Sequence, residues 1–171
     1  MIATGSAIYH RPPTSPVFIS GSLSIRELPA SVMKRLGIII DHELPVVIGD
    51  APGADAAVQR FLSDCGVRHV TVFCGGANPR HNIGAWPARQ VLADAAPGTR
   101  AFHSAKDREM ARLAGAGLVV WDGTSRGSLA NIRRLCDRGC YVLIYLRPKD
   151  SFITLATDAE RTAFLTSDCL G

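Results

Sequence analysis

The chain has 171 residues, 47% of them hydrophobic and 20% charged, with a net charge of +4 and a pI of about 9.0. This is enough for one domain with a sizeable core; the mild basicity favours an anionic ligand, while the lack of a Lys/Arg run argues against a dedicated nucleic-acid surface. No apolar run reaches the roughly 18 residues of a membrane span, and the opening Met1-Ile2-Ala3-Thr4-Gly5-Ser6 lacks the charged and apolar regions of a signal peptide, so a cytoplasmic protein is expected.

Residues 1–15 are small, polar and Pro-containing, and read as a flexible lead before the domain at 16–171. Residues 16–20 form a first, central strand, and Gly21-Ser22-Leu23-Ser24 turns out of it. A helical stripe follows over 28–41, with Pro29 suited to its first turn. A second apolar strand at 45–49 leads through Asp50-Ala51-Pro52-Gly53 into a helix over about 54–64, which Gly66 ends. Residues 67–74 alternate into a third strand that includes His69. The segment 75–87 is loop-like and long enough to be functional; its Trp86 serves either to stack on a base or to anchor the loop. A short helix over 88–94, a brief strand over 99–103 and a helix capped by Ser104 come next. Leu118-Val119-Val120-Trp121 reads as a buried strand, followed by a Gly-rich turn to Ser128 and a helix over 128–138. A last core strand at 141–145 and a terminal helix at 157–165 complete the pattern.

Strands alternating with helices predict a single Rossmann-like α/β domain, a mostly parallel sheet with helices on both faces. The five cysteines (Cys65, Cys74, Cys136, Cys140, Cys169) show neither a disulfide framework nor a zinc spacing and are expected to be buried, reduced thiols. His81 and His103 lack metal-ligand partners at suitable spacing, so neither metal nor cofactor is assigned.

Three turns after strands fall on the carboxyl rim of such a sheet, where open α/β sheets bind ligands. Gly21 and Ser22 form the first, Gly49, Gly53 and Asp55 lie in the second, and Asp122, Gly123, Thr124, Ser125, Arg126, Gly127 and Ser128 make the third. A helix start offers free N–H groups and partial positive charge to a phosphate. Asp55 suits a sugar or base contact, or it complements the helix dipole. Lys106, Asp107 and Arg108 are placed on the exposed side of a first helical turn, where the cations oppose the dipole unless an anion lies near. Arg126 makes the same case. Solvated surface charge and ordinary N-caps are the plainer readings of these residues. A P-loop, a dinucleotide GxGxxG and a GxSxG elbow are absent, which argues against P-loop hydrolysis, hydride transfer and serine-triad chemistry.

Four motifs in order carry a resemblance: Gly21-Ser22, Gly49-Asp50-Ala51-Pro52-Gly53-Ala54-Asp55, Lys106-Asp107-Arg108-Glu109-Met110 and Trp121-Asp122-Gly123-Thr124-Ser125-Arg126-Gly127-Ser128. Together they resemble the SLOG superfamily, most of all its small YspA-like branch, over about residues 17–145. The superfamily also includes LOG-type phosphoribohydrolases, molybdenum-cofactor carriers and DNA-processing Smf proteins. The resemblance implies that Gly21, Ser22, Gly53, Asp55, Gly123, Ser125, Gly127 and Ser128 line a pocket for a nucleotide-derived ligand. Leu23 and Asp50 depart from the Arg and Gly usual in the branch, Lys106-Asp107 replaces Arg-Asn, and Asn131 stands near where the LOG enzymes carry a Glu.

The expected function is therefore binding or sensing of a nucleotide or phosphate-bearing ligand. The alternative is cleavage or transfer at a nucleotide N-glycosidic bond, for which Asp122, at a strand's end, is the favoured catalytic carboxylate among Asp55, Asp107, Glu109 and Asp122. DNA binding by analogy with the Smf proteins is the weakest alternative, and a homodimer or larger oligomer is expected from the related proteins.

Overall fold

A computed structural model describes residues 15–167. The strands are β1 (Val17–Gly21), β2 (Val46–Gly49), β3 (Val70–Cys74), β4 (Ala88–Gln90), β5 (Ala116–Trp121), β6 (Tyr141–Leu146) and β7 (Ser151–Leu155). They form one sheet in the order β4-β3-β2-β1-β5-β6-β7, parallel throughout except for the final β6–β7 pairing. The helices are α1 (Ala30–Asp41), α2 (Ala54–Asp64), α3 (Arg100–Leu113), α4 (Arg126–Asp137) and α5 (Asp158–Thr166).

The core lies in two layers, one on each face of the sheet. Val32 and Leu36 of α1 and Val58 and Leu62 of α2 pack with Ile19, Ile48 and Val72 on one face. Met110 of α3 and Ile132 and Leu135 of α4 pack with Phe18, Val119 and Ile144 on the other, with Phe164 of α5 against the same layer. Alternate strand residues feed opposite layers, as a period of two requires. After β1 the chain winds toward β2 and β3; after β5 it winds the other way, toward β6. The point of reversal lies between β1 and β5, at their carboxyl ends, where doubly wound sheets open a crevice. The expected α/β class, the mostly parallel sheet and the central place of β1 hold.

Several boundaries differ from the sequence reading. Residues 99–103 are not a strand: α3 begins at Arg100, and the Thr99 side chain caps it by accepting from the Phe102 N–H. Pro97-Gly98, with Gly98 at φ 80°, breaks the chain just before that cap, so the start signal was Thr99 rather than Ser104. Ser104 instead donates to the Ala101 carbonyl inside the helix. Residues 88–90 pair with β3 as an exposed edge strand instead of forming a helix, because the backbone directly after Pro87 is held extended by the Val72 and Cys74 ladder. β7, absent from the sequence reading, reverses against β6 through a 3-10 turn at Arg147–Lys149 and Asp150, which accepts a 2.7 Å hydrogen bond from the Tyr145 hydroxyl. Pro29 is the N-cap of α1 and not within its first turn. His69 is exposed just before β3 rather than within it. Cys65 is exposed, against expectation, whereas Cys74, Cys136 and Cys140 are buried; Cys169 and nearly all of the 1–15 lead lie outside the described residues. No helix of the described residues is long and apolar enough to cross a membrane.

Candidate functional site

The rim of the sheet at β1, β2 and β5 gathers most of the buried polar side chains. At the crevice itself Ser22 is fully buried. Its Oγ accepts from the Asp122 N–H at 3.0 Å and lies 3.1 Å from the Ser128 Oγ. Ser128 also donates to the Ser125 Oγ, and Ser125 caps α4 by accepting from the Ser128 N–H. Two of the expected pocket serines, Ser22 and Ser128, thus tie the β1 turn to the start of α4. Thr124, Arg126 and Gly127 remain exposed above them.

Asp122 organises the third turn. One carboxylate oxygen accepts from the N–H groups of Thr124 and Ser125 at 2.9 and 2.7 Å, and the other accepts from the Ser24 hydroxyl at 2.7 Å. Burial acts to raise its pKa, but these donors outweigh it and hold the carboxyl at about 2. A carboxylate so fixed is a weak base and a poor proton donor at neutral pH.

The glycines serve the packing of this rim. A Cβ on Gly21 would meet the Val120 carbonyl oxygen at 2.4 Å and the Ala54 Cβ at 2.5 Å, so β1, β5 and the start of α2 close together only over a glycine. Gly53, at φ 81°, lies against the Leu23 backbone. Gly49 leaves room for two charges: a Cβ there would stand 2.5 Å from Asp55 Oδ2 and 2.7 Å from Lys106 Nζ.

Those two residues head the deepest polar cluster. Lys106 is 4% exposed and Asp55 is 5% exposed. Contrary to its expected place on an exposed first turn, Lys106 lies near the middle of α3 with its side chain buried, because the helix is capped five residues earlier, at Thr99 rather than Ser104. Its Nζ pairs with Asp107 Oδ1 at 2.9 Å, and Asp107 Oδ2 accepts from the Asn131 amide of α4 at 3.3 Å. Burial disfavours the ammonium, but Asp107 and Asp55 overcome it and strengthen its hold on the proton. With the lysine committed to Asp107, Asp55 has the Ala51 N–H as its hydrogen-bond partner, at 3.3 Å. Burial is the largest influence on Asp55; with the nearby Asp107 and Asp50 carboxylates it prevails over Lys106 and pushes the carboxyl up to about 7. The Ser20 hydroxyl is buried without a hydrogen-bond partner among the described residues. It lies one position beyond the Ile19–Ile48 pair, hence beside Gly49, and on the same face as Phe18, toward α3 and α4.

A second wall comes from the 75–87 loop, for which the sequence suggested a ligand contact only through Trp86. Arg80 grips the buried Asp50 with its backbone N–H, Nε and Nη2, the closest contacts at 2.9 Å. Burial would raise the Asp50 carboxyl, but Arg80 lowers it below the ordinary value. The His81 Nδ1 lies 3.0 Å from the Asp50 carbonyl oxygen. Gln59, fully buried in α2, donates to the Gly49 and His81 carbonyls and accepts from the Ile83 N–H, pinning the loop to the rim. Trp86 is the loop's anchor rather than a stacking platform: it is buried and its Nε1 donates to the Val67 carbonyl at 2.7 Å. His103 faces the same rim from α3, and burial, Arg80 and Lys106 together make it harder to protonate. The pairing of Asp50 with Arg80 and the depth of Lys106 had no local signal, since both depend on where distant segments meet.

The rim therefore offers a carboxylic acid poised near neutrality, a buried ammonium, a guanidinium and the first turn of α4. Among the described residues no group of three or more His, Cys, Asp or Glu side chains could hold a metal ion. The fold and rim define the class as a doubly wound α/β domain with buried polar side chains at the switch point. No protein-family model, curated protein or solved structure matches the chain.

Proposed function

We propose that the protein binds a nucleotide or nucleotide-derived ligand across the carboxyl rim, its phosphate toward the start of α4 and its sugar toward Asp55, Lys106 and Asp107. The observation that carries this reading is the burial of Lys106 and Asp55 side by side over Gly49, beside the switch point. Burying both groups costs stability unless they are well paired, and perturbed ionisable groups gather at functional sites. Arg126 and Thr124 suit the phosphate end, and the resemblance of the four motifs to the SLOG superfamily supports the same choice of ligand.

A second reading, scission of an N-glycosidic bond, rests on Asp55 rather than Asp122. A carboxyl group near pH 7 can deliver a proton to a departing base while water attacks the sugar carbon, and it regains a proton from that water. Asp122, held at about 2, suits the turn and not this role.

The test is a thermal-shift panel of nucleoside mono-, di- and triphosphates, nucleotide sugars, NAD and ADP-ribose, with products separated by chromatography. A ligand bound only by the folded chain raises the melting temperature by mass action. An intact ligand with a shift supports binding, and free base that disappears in Asp55→Asn supports scission. No shift from any phosphate-bearing compound overturns both readings.

A further inference from the structure

The outer side of α4 carries a cleft that meets the rim site only at Thr124 and Arg126 and runs away from it toward Arg100 and Arg133. A cleft of about 590 Å³ opens between the start of α3, the third rim turn at Gly123 and Thr124, and the outward face of α4, where Arg100, Arg126 and Arg133 stand over Trp121, Leu129 and Ala130. Among the described residues none of the three guanidiniums has a carboxylate partner. Three other arginines of these helices are engaged: Arg112 with Glu109, Arg108 with the Ser104 hydroxyl and Arg134 with Asn131.

The charge around the cleft is not a local accident. α3 and α4, with the C-cap Arg138, hold eight Lys and Arg against three Asp and Glu, a net +5 in a chain whose total is +4. The rest of the molecule is thus slightly acidic, and the positive field stands over one pair of adjacent helices. Burial, with Arg108 and Arg100 nearby, makes even Arg134 give up its proton more readily than an ordinary arginine. Like charges brought together without counter-charges destabilise the free protein, and a bound polyanion relieves that repulsion. Planar guanidiniums suit phosphate oxygens through paired N–H donors. The volume falls within the roughly 300–1,000 Å³ of small-molecule sites, and three cations converging on one cleft match a compact ligand better than an extended strand.

We infer that the Arg100–Arg126–Arg133 cleft, which adjoins the rim at Thr124 and Arg126, is a second anion site for a small molecule bearing two or more linked phosphates. It does not depend on the nucleotide reading of the rim.

Isothermal titration of the full chain with inorganic triphosphate, and with orthophosphate for comparison, tests this. The expected result is saturable binding of triphosphate at one site, at least tenfold tighter than orthophosphate. Arg100→Glu and Arg133→Glu should each weaken it tenfold or more; both residues are exposed, so neither change threatens the core. Arg138→Glu, an equal charge change at the far end of α4, should alter it less than twofold, and Asp55→Asn should leave it unchanged. Equal weakening by all three reversals would show a diffuse field and overturn the site, as would no saturable binding. Displacement of triphosphate by a tenfold lower concentration of single-stranded oligonucleotide would overturn the choice of a small ligand.

Discussion

Asp55 is the rim carboxyl raised furthest from its ordinary value, because it is buried beside a lysine that is already paired with Asp107. Its carboxyl sits near 7 when folded, against an ordinary value of 3.8, so the unfolded chain releases this proton first as the pH rises. The protonated form is what the fold favours. The contribution is therefore fully present below about pH 4 and is lost as the pH climbs through about 7. Asp55→Asn removes that loss: chemical denaturation should find the variant close to wild type near pH 4 and more stable at pH 8. At roughly 1.4 kcal/mol for each pH unit between the two values, the difference is on the order of a few kcal/mol. A wild-type and variant difference that does not change with pH would show that Asp55 titrates normally. Asp122 should behave in the opposite sense, stabilising the fold above its ordinary range and ceasing to do so only as the pH falls toward about 2. Asp55 stood in the sequence as a pocket residue, but its depth did not, since desolvation by the β1 turn and α3 is a property of residues 30 and more positions away.

At the scale of elements, glycines with different surroundings give opposite predictions. Gly21→Ala would drive a methyl group into the Val120 carbonyl and Ala54, both immobile, and should destabilise by several kcal/mol or prevent folding. Gly37, inside α1 with nothing within 4 Å, should gain roughly 0.5–1 kcal/mol as Ala. Thr99→Ala should lose about 1 kcal/mol by uncapping α3, whereas Ser104→Ala should change stability by less than about 0.5 kcal/mol. Melting curves of the four variants check the whole set. The same pair explains what the sequence made legible. Helices with clean punctuation, such as α2 between Gly53 and Gly66, were read within a residue. α3 was misplaced because Thr99 and Ser104 both resemble caps and Phe102-His103 mimics a strand. β4 and β7 were missed because short edge strands are made by pairing with β3 and β6, not by their own pattern.

At the scale of the whole molecule, two kinds of polarity divide the domain. Along the strands, the carboxyl rim concentrates Asp50, Asp55, Lys106 and Asp107, while the amino edge holds a cavity of about 220 Å³ lined by Leu44, Leu62 and Val67 together with Glu43, Arg68 and His69. Across the sheet, positive charge gathers on α3 and α4. The alternating pattern of strands and helices made the first division readable, since parallel topology sends every turn after a strand to one rim. The second was hidden, because its arginines are scattered from 100 to 138 and meet only when the two helices lie side by side. The central claim, that the rim crevice binds a nucleotide-derived ligand, is met most directly by an amide NMR titration with AMP and ADP-ribose. The expected result is saturable shifts confined to residues 49–55, 103–107 and 123–128. Spectra unchanged by either compound at millimolar concentration, or shifts confined to the amino-edge cavity, would contradict it.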